Sequence, residues 1–165
     1  MIYTGNYKNC SSSELFVSIS GDCGKMVDFK GNYCKLLAPK LSFWKKWHDN
    51  IGKIPELENI YFYIENYYYQ VLKNLDINLL FSTLGNSFIM GCYEDNEEFC
   101  HRQIVASYLE MLLGIDINEV TIKNNKFIKI PKSQTSIVVK DMLCEIIIKD
   151  MENEKYEYDK QMILL

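Results

Sequence analysis

Ser87-Phe88-Ile89-Met90-Gly91-Cys92-Tyr93 is a short, almost wholly apolar run, the composition of a central parallel strand buried on both faces. A polar loop, Glu94 to Glu98, follows it and leads into a helix from about Cys100 to Leu113, closed by Gly114. Ile115 to Val120 then reads as a further strand. Strand, loop, helix and strand in this order predict an α/β fold, with a mostly parallel central sheet flanked by helices.

The segments upstream agree with that reading. Leu57, Ile60, Tyr61, Ile64, Tyr68, Val71, Leu72 and Leu75 recur at three- and four-residue steps, which predicts a helix from Glu56. Asp76 interrupts it and starts a second helix carrying Ile77, Leu80, Phe81 and Leu84, which Gly85-Asn86 stops. At the front, Met1-Ile2-Tyr3-Thr4 reads as a buried strand stopped by Gly5-Asn6, and Ser11-Ser12-Ser13 as a turn or cap. Leu15 to Ser20 reads as a second strand, ended by Gly21-Asp22-Cys23-Gly24. Residues 25–55 look irregular, with Ser42 placed to cap a short helix through Trp47. The tryptophans Trp44 and Trp47 read as core or lid packing.

Downstream, Val120 to Pro131 predicts a hairpin around Asn124-Asn125. Ser136 to Asp150 fits an amphipathic helix through Val139, Met142, Leu143, Ile146 and Ile147, or a strand through Glu145-Ile146-Ile147-Ile148. The expected organisation is a single domain: an α/β unit over 1–120 with a C-terminal extension, 121–165, packed on it.

Composition narrows the function classes. Of 165 residues, 48% are apolar and 24% charged, a globular balance rather than a disordered one. A net charge of −4 argues against a nucleic-acid partner, which would call for a basic surface. No stretch approaches the roughly 20 apolar residues of a membrane span, so no membrane partner is expected. The opening residues lack the pattern of an export signal, which gives a cytoplasmic expectation. Cysteines stand at 10, 23, 34, 92, 100 and 144, none in a Cys-x-x-Cys pair. Free thiols are expected, and neither a metal nor another cofactor.

The chemistry-bearing residues gather at the end of the 87–93 strand and the start of the helix behind it. Free N–H groups and the dipole at that helix start, with Arg102, make a feature able to hold an anionic group. Cys100 beside His101 and Arg102 has the setting of a lowered thiol pKa, and Glu94 is the carboxylate nearest the strand end. Cys100, His101 and Glu94 are therefore the candidate catalytic residues. Thr4, Ser18, Ser20, Gly21, Cys92, Tyr93 and Arg102 are the candidate ligand-binding residues, set at strand ends where open α/β sheets bind ligands. This reading requires the Arg102 guanidinium to be reachable from solvent. Each residue also has a plain structural role: Cys92 as a small core residue, His101 as a cap, Arg102 in a surface bridge to the acidic loop worth at most about 1 kcal/mol. A phosphatase-type loop is excluded, because Cys100 precedes Arg102 by two positions and Glu98 stands six after Cys92. A zinc site from Cys92, Cys100 and His101 fits no standard spacing.

Gly91-Cys92-Tyr93-Glu94 followed by Phe99-Cys100-His101-Arg102 and Ile104-Val105-Ala106 resembles the DUF488 domain proteins, a family of bacterial, archaeal and phage α/β proteins of uncharacterised function. Ile2-Tyr3-Thr4, Val17 to Gly21, Leu37-Ala38-Pro39 and the spacing Tyr69, Val71-Leu72, Leu75-Asp76 resemble it too, so the likeness runs over about residues 1–120. It implies a compact α/β fold with these segments at one sheet edge, and no particular reaction. Asp22-Cys23 departs from the basic residue that often follows the glycine there.

Three functions compete. The leading expectation is a site for a small molecule, anionic and nucleotide- or nucleoside-like. The second is a thiol- or carboxylate-dependent enzyme acting on such a ligand. The third is a protein-interaction module or homo-oligomer using the Tyr61–Tyr69 cluster and the aromatics at 43–47.

Overall fold

Phe88–Cys92 forms strand β4 of the numbering used below, and every residue in it is buried. The computed structural model of the chain describes residues 1–163; residues 164 and 165 of the expected C-terminal segment lie outside them. The strands are β1 (Ile2–Asn6), β2 (Phe16–Ser18), β3 (Asn32–Tyr33), β4, β5 (Asn118–Lys123) and β6 (Lys126–Ile130). They make one six-stranded sheet in the order β3-β2-β4-β1-β5-β6. The pairings are parallel except the β5–β6 hairpin, so the chain is a single α/β domain with a mostly parallel sheet.

The helices are α1 (Tyr7–Cys10), α2 (Leu41–Asn50), α3 (Glu56–Tyr67), α4 (Ile77–Leu84), α5 (His101–Leu113) and α6 (Gln134–Ile163). Alternation along the strands divides the core. Ile2, Val17, Phe88 and Met90 face the side covered by α3, α5 and α6, where Ile64, Ile104, Leu109, Val139 and Leu143 meet them. Phe16, Ile89 and Val120 face the other side, with Tyr7 and Cys10 of α1. Among the described residues, no helix is long and apolar enough to cross a membrane.

Strands β1 and β4 are neighbours, yet the chain leaves them in opposite directions. From β1 it passes through α1 to β2, and from β4 through α5 to β5 on the far side of β1. The carboxyl ends of β1 and β4 therefore flank a switch point, where α/β sheets open a crevice. Close approach across this centre requires Gly91, because a Cβ there would lie 1.9 Å from the Phe16 ring.

Several boundaries differ from expectation for local reasons. β1 runs on through Gly5 to Asn6, whose side chain then caps α1 by accepting from the Asn9 N–H. β2 is limited to Phe16–Ser18, with one more ladder bond from Ile19 N to Gly91 O. Helix α2 starts at Leu41 behind Pro39-Lys40, so Ser42 lies inside it rather than capping it. α3 ends in a π turn, Tyr68–Leu72, closed by a 2.8 Å bond from Lys73 N to Tyr68 O. β5 begins at Asn118 because the Ile117 N–H is taken by Glu110 Oε1, and the expected boundary at residue 120 falls inside this strand. The segment from Ser136 is helical, so the strand alternative over 145–148 does not occur.

Candidate functional site

β4 delivers Cys92, Tyr93 and Glu94 to the carboxyl edge of the sheet, and the loop returns the chain at Cys100, the N-cap of α5. Gln103 fixes this start, its Oε1 accepting from the Cys100 N–H at 3.1 Å while its amide donates to the Asn96 and Glu98 carbonyls. Cys100, His101 and Arg102 thus open the helix, as the sequence suggests.

The thiols of Cys92 and Cys100 and Nδ1 of His101 come together in the interior, all within 4.8 Å of one another. Nδ1 lies 3.8 Å from Cys100 Sγ and 3.9 Å from Cys92 Sγ. The other ring nitrogen, Nε2, lies 2.9 Å from the Ile19 carbonyl, which can only accept, so Nε2 carries a proton. The Tyr67 ring packs beside the imidazole, held in turn by a hydrogen bond from its hydroxyl to the Leu37 carbonyl.

Burial by itself would raise the Cys100 thiol. The Cys92 thiol, the Arg102 guanidinium and His101 overcome that and hold it well below the ordinary thiol range. Cys92 moves the opposite way, pushed up by its hydrogen bond to Cys100 and by burial. Burial also acts to lower His101, but the Cys100 thiolate outweighs it and raises the imidazole. Glu94 is pushed up to about 7, first by burial and then by the same thiolate.

The requirement that Arg102 be reachable from solvent is not met: its side chain is 0% exposed. Nε and Nη2 donate to Glu119 Oε2 and Oε1 at 3.2 and 3.1 Å, and Nη2 also to the Asp95 carbonyl. Burial pushes the Glu119 carboxyl up in spite of the guanidinium beside it, so desolvation offsets much of the pair's attraction. The surface bridge to the acidic loop is therefore a buried pair to a strand. Among the described residues, the remaining nitrogen, Nη1, has no hydrogen-bond partner, and it faces Glu94 Oε2 at 3.9 Å, a buried oxygen that also has none.

The other sequence candidates fall into separate groups. Ser18 and Ser20 are tied to one another and to the Tyr7 hydroxyl at 2.5 and 2.9 Å. Ser20 also donates to Asp22, which accepts from the Tyr93 hydroxyl at 2.7 Å. This network fills the strand tips on the α1 side of the sheet. Gly21 lies beside it, near Pro39. Thr4 lines a smaller cleft of about 240 Å³ with Gln103, Glu110, Glu119 and Lys132. Among the candidates, Glu94 alone lines the larger cleft, about 570 Å³, whose floor includes Trp47, Ile60, Phe99 and Val139.

Sequence reasoning missed Glu119, Asp22 and Tyr7. Glu119 carried little signal, because Ile115, two steps of the alternation before it, is exposed and its neighbour Val120, on the opposite face, is buried too. Asp22 and Tyr7 carried none, being a loop acid and one tyrosine among twelve.

Compared with protein-family models, with curated proteins and with solved structures, the chain has no match.

Proposed function

We propose that the protein binds a small nucleoside-like molecule in the cleft beside Glu94. The observation that carries this reading is the double position of Glu94. It lines the cleft, and it holds a buried, unpartnered oxygen toward Arg102 and the thiol cluster. Apolar and aromatic side chains interspersed with polar groups are the ordinary make-up of a small-molecule site, and here Trp47, Ile60, Phe99 and Val139 supply the apolar part. Trp47 and Phe99 would take a flat ring, and the carboxylate would accept from an amide edge or a sugar hydroxyl.

The cleft's charge argues for an uncharged or cationic ligand over an anionic one. Glu56, Glu94, Glu97 and Glu98 stand around it, no Lys or Arg is among its lining residues in the described part of the chain, and Arg102 gives two hydrogen bonds to Glu119. The resemblance to the DUF488 domain proteins adds only the expectation of a site at this sheet edge.

Thermal-shift titration tests the reading, because a ligand that binds the folded state raises the melting midpoint by mass action. Nucleosides or free bases are expected to raise it, with nucleoside monophosphates weaker and Glu94→Gln unresponsive. No shift with any of them, or equal shifts for wild type and Glu94→Gln, would overturn it.

A second reading is turnover of the same ligand, with Glu94 as acid or base. It is favoured by Glu94 joining the cleft to Cys100 and His101. Chromatography of nucleosides incubated with the protein separates the two, since pure binding returns the ligand unchanged.

A further inference from the structure

We propose that Cys92, Cys100 and His101 form a zinc site. The inference goes beyond the ligand reading and does not depend on it.

The first support is the donor set. Two sulfurs and an imidazole nitrogen converge from a strand end, an N-cap and the first turn of a helix, elements that fix them in place. Tetrahedral zinc with bonds of about 2.3 Å to sulfur and about 2.0–2.1 Å to nitrogen spaces its ligand atoms by about 3.5–3.8 Å. The two Nδ1–sulfur separations, 3.8 and 3.9 Å, need only a few tenths of an ångström of closure. Soft thiolates with an imidazole in this geometry select zinc over hard cations such as magnesium or calcium.

The second support is the orientation of His101. With Nε2–H given to the Ile19 carbonyl, Nδ1 is the ring nitrogen left facing the two sulfurs, and a metal there would take its lone pair. A metal-bound histidine is held in the same way, its far N–H donated to a backbone carbonyl that fixes tautomer and ring angle.

The third support is independent of the cluster's own ligands. Among the described residues, Glu94 Oε2 is buried with no hydrogen-bond partner, Arg102 Nη1 standing 3.9 Å away. A buried carboxylate oxygen without a donor is costly. A cation at the cluster, or a water bound to one, would satisfy it. The separation of Cys92 from Cys100 by eight positions, with His101 directly following, explains why no standard zinc motif is visible in the chain.

Metal uptake by the intact chain tests the site without relying on any variant. After chelator treatment and desalting, cobalt(II) is expected to bind at one equivalent. Its spectrum should show the intense ligand-field bands of tetrahedral coordination and the charge-transfer absorption of two thiolates, both erased by added zinc. Weak octahedral bands, or no sulfur charge transfer, would overturn the proposal. Cys92→Ser and Cys100→Ser should each lower stoichiometric uptake at least tenfold, whereas Cys23→Ser and Cys144→Ser, at thiols outside the cluster, should leave it unchanged. Uptake unaltered in both cluster variants would also overturn it. Nucleoside binding is read by thermal shift and metal by absorbance, so failure of one reading is distinguishable from failure of the other.

Discussion

The guanidinium of Arg102 meets the carboxylate of Glu119 edge-on, through two hydrogen bonds of 3.2 and 3.1 Å, with both side chains shut away from solvent. The contact ties the first turn of α5 to β5, and so joins the loop after β4 to the strand beyond β1. A buried pair of this kind adds little against an apolar replacement, but losing one partner strands the other charge.

Glu119→Ala is therefore expected to destabilise the fold by about 3–5 kcal/mol in urea unfolding. The double variant Arg102→Met with Glu119→Leu should recover most of that loss, since no uncompensated charge remains. A Glu119→Ala cost under about 1 kcal/mol, the range of exposed pairs, would contradict a sealed contact.

Gly91→Ala is expected to cost about 1–3 kcal/mol or more through overpacking, because the added methyl meets the Phe16 ring. The measurement is a double-mutant cycle by thermal or urea unfolding. Phe16→Leu combined with Gly91→Ala should be less damaging than the sum of the two changes. Strict additivity would place the clash elsewhere.

Acid should weaken the attachment of α6. Asp150 accepts from the Tyr68 hydroxyl at 2.9 Å and pairs with Lys73 at 2.7 Å. Burial acts to raise its pKa, but Lys73 and Tyr68 together lower it from the ordinary 3.8. With the folded value below the unfolded one, the contribution is complete above the unfolded value and fades as pH falls through the depressed folded value. Stability of wild type should accordingly drop more steeply below about pH 4 than that of Asp150→Asn, which starts lower at neutral pH. Parallel curves of urea midpoint against pH would remove Asp150 from the acid limb.

The β5–β6 hairpin turns through Asn124 and Asn125, both at positive φ, 50° and 57°. That is the backbone of a two-residue type I′ turn, in which glycine is favoured at the second position. Asn125→Gly should be neutral or slightly stabilising, and Asn125→Val destabilising by about 1–2 kcal/mol from left-handed strain. Equal melting points for the two variants would contradict the turn type.

The parts of the fold that were legible are those where composition and punctuation coincide. β4 announced itself as an apolar run between Gly85-Asn86 and the acidic loop, and α5 ends at Gly114 in the left-handed conformation that favours glycine. The hairpin followed from Asn124-Asn125. β3 was not legible, since Asn32–Tyr33 is an exposed two-residue edge whose pairing with β2 comes from tertiary context. The π turn was hidden because one extra residue per turn barely disturbs a 3.6-residue apolar period over so short a span. The Glu145–Ile148 segment was ambiguous locally. Burial of Val139, Leu143 and Ile146 on one side of α6 decided it for helix.

The placement of the candidate triplet at a helix start was legible, and the sealing of Arg102 was not. Cys100, His101 and Arg102 open α5, but a charge is sealed or exposed according to what lies opposite. The partner of Arg102 sits 17 residues on, in a strand that the sequence reading started three residues early. Likewise the approach of Cys92 to Cys100 depends on how the loop between them closes, and spacing alone does not encode that.

The position of Glu119 also sets an order of events during synthesis. A nascent chain that has reached only α5 has its cysteines, imidazole and guanidinium in hand, but nothing to neutralise the guanidinium and no outer neighbour for β1. Those helix-opening residues can reach their final arrangement only once the last third of the polypeptide emerges, so a protein cut short after Ile117 would expose an unpaired strand edge and a stranded positive charge together.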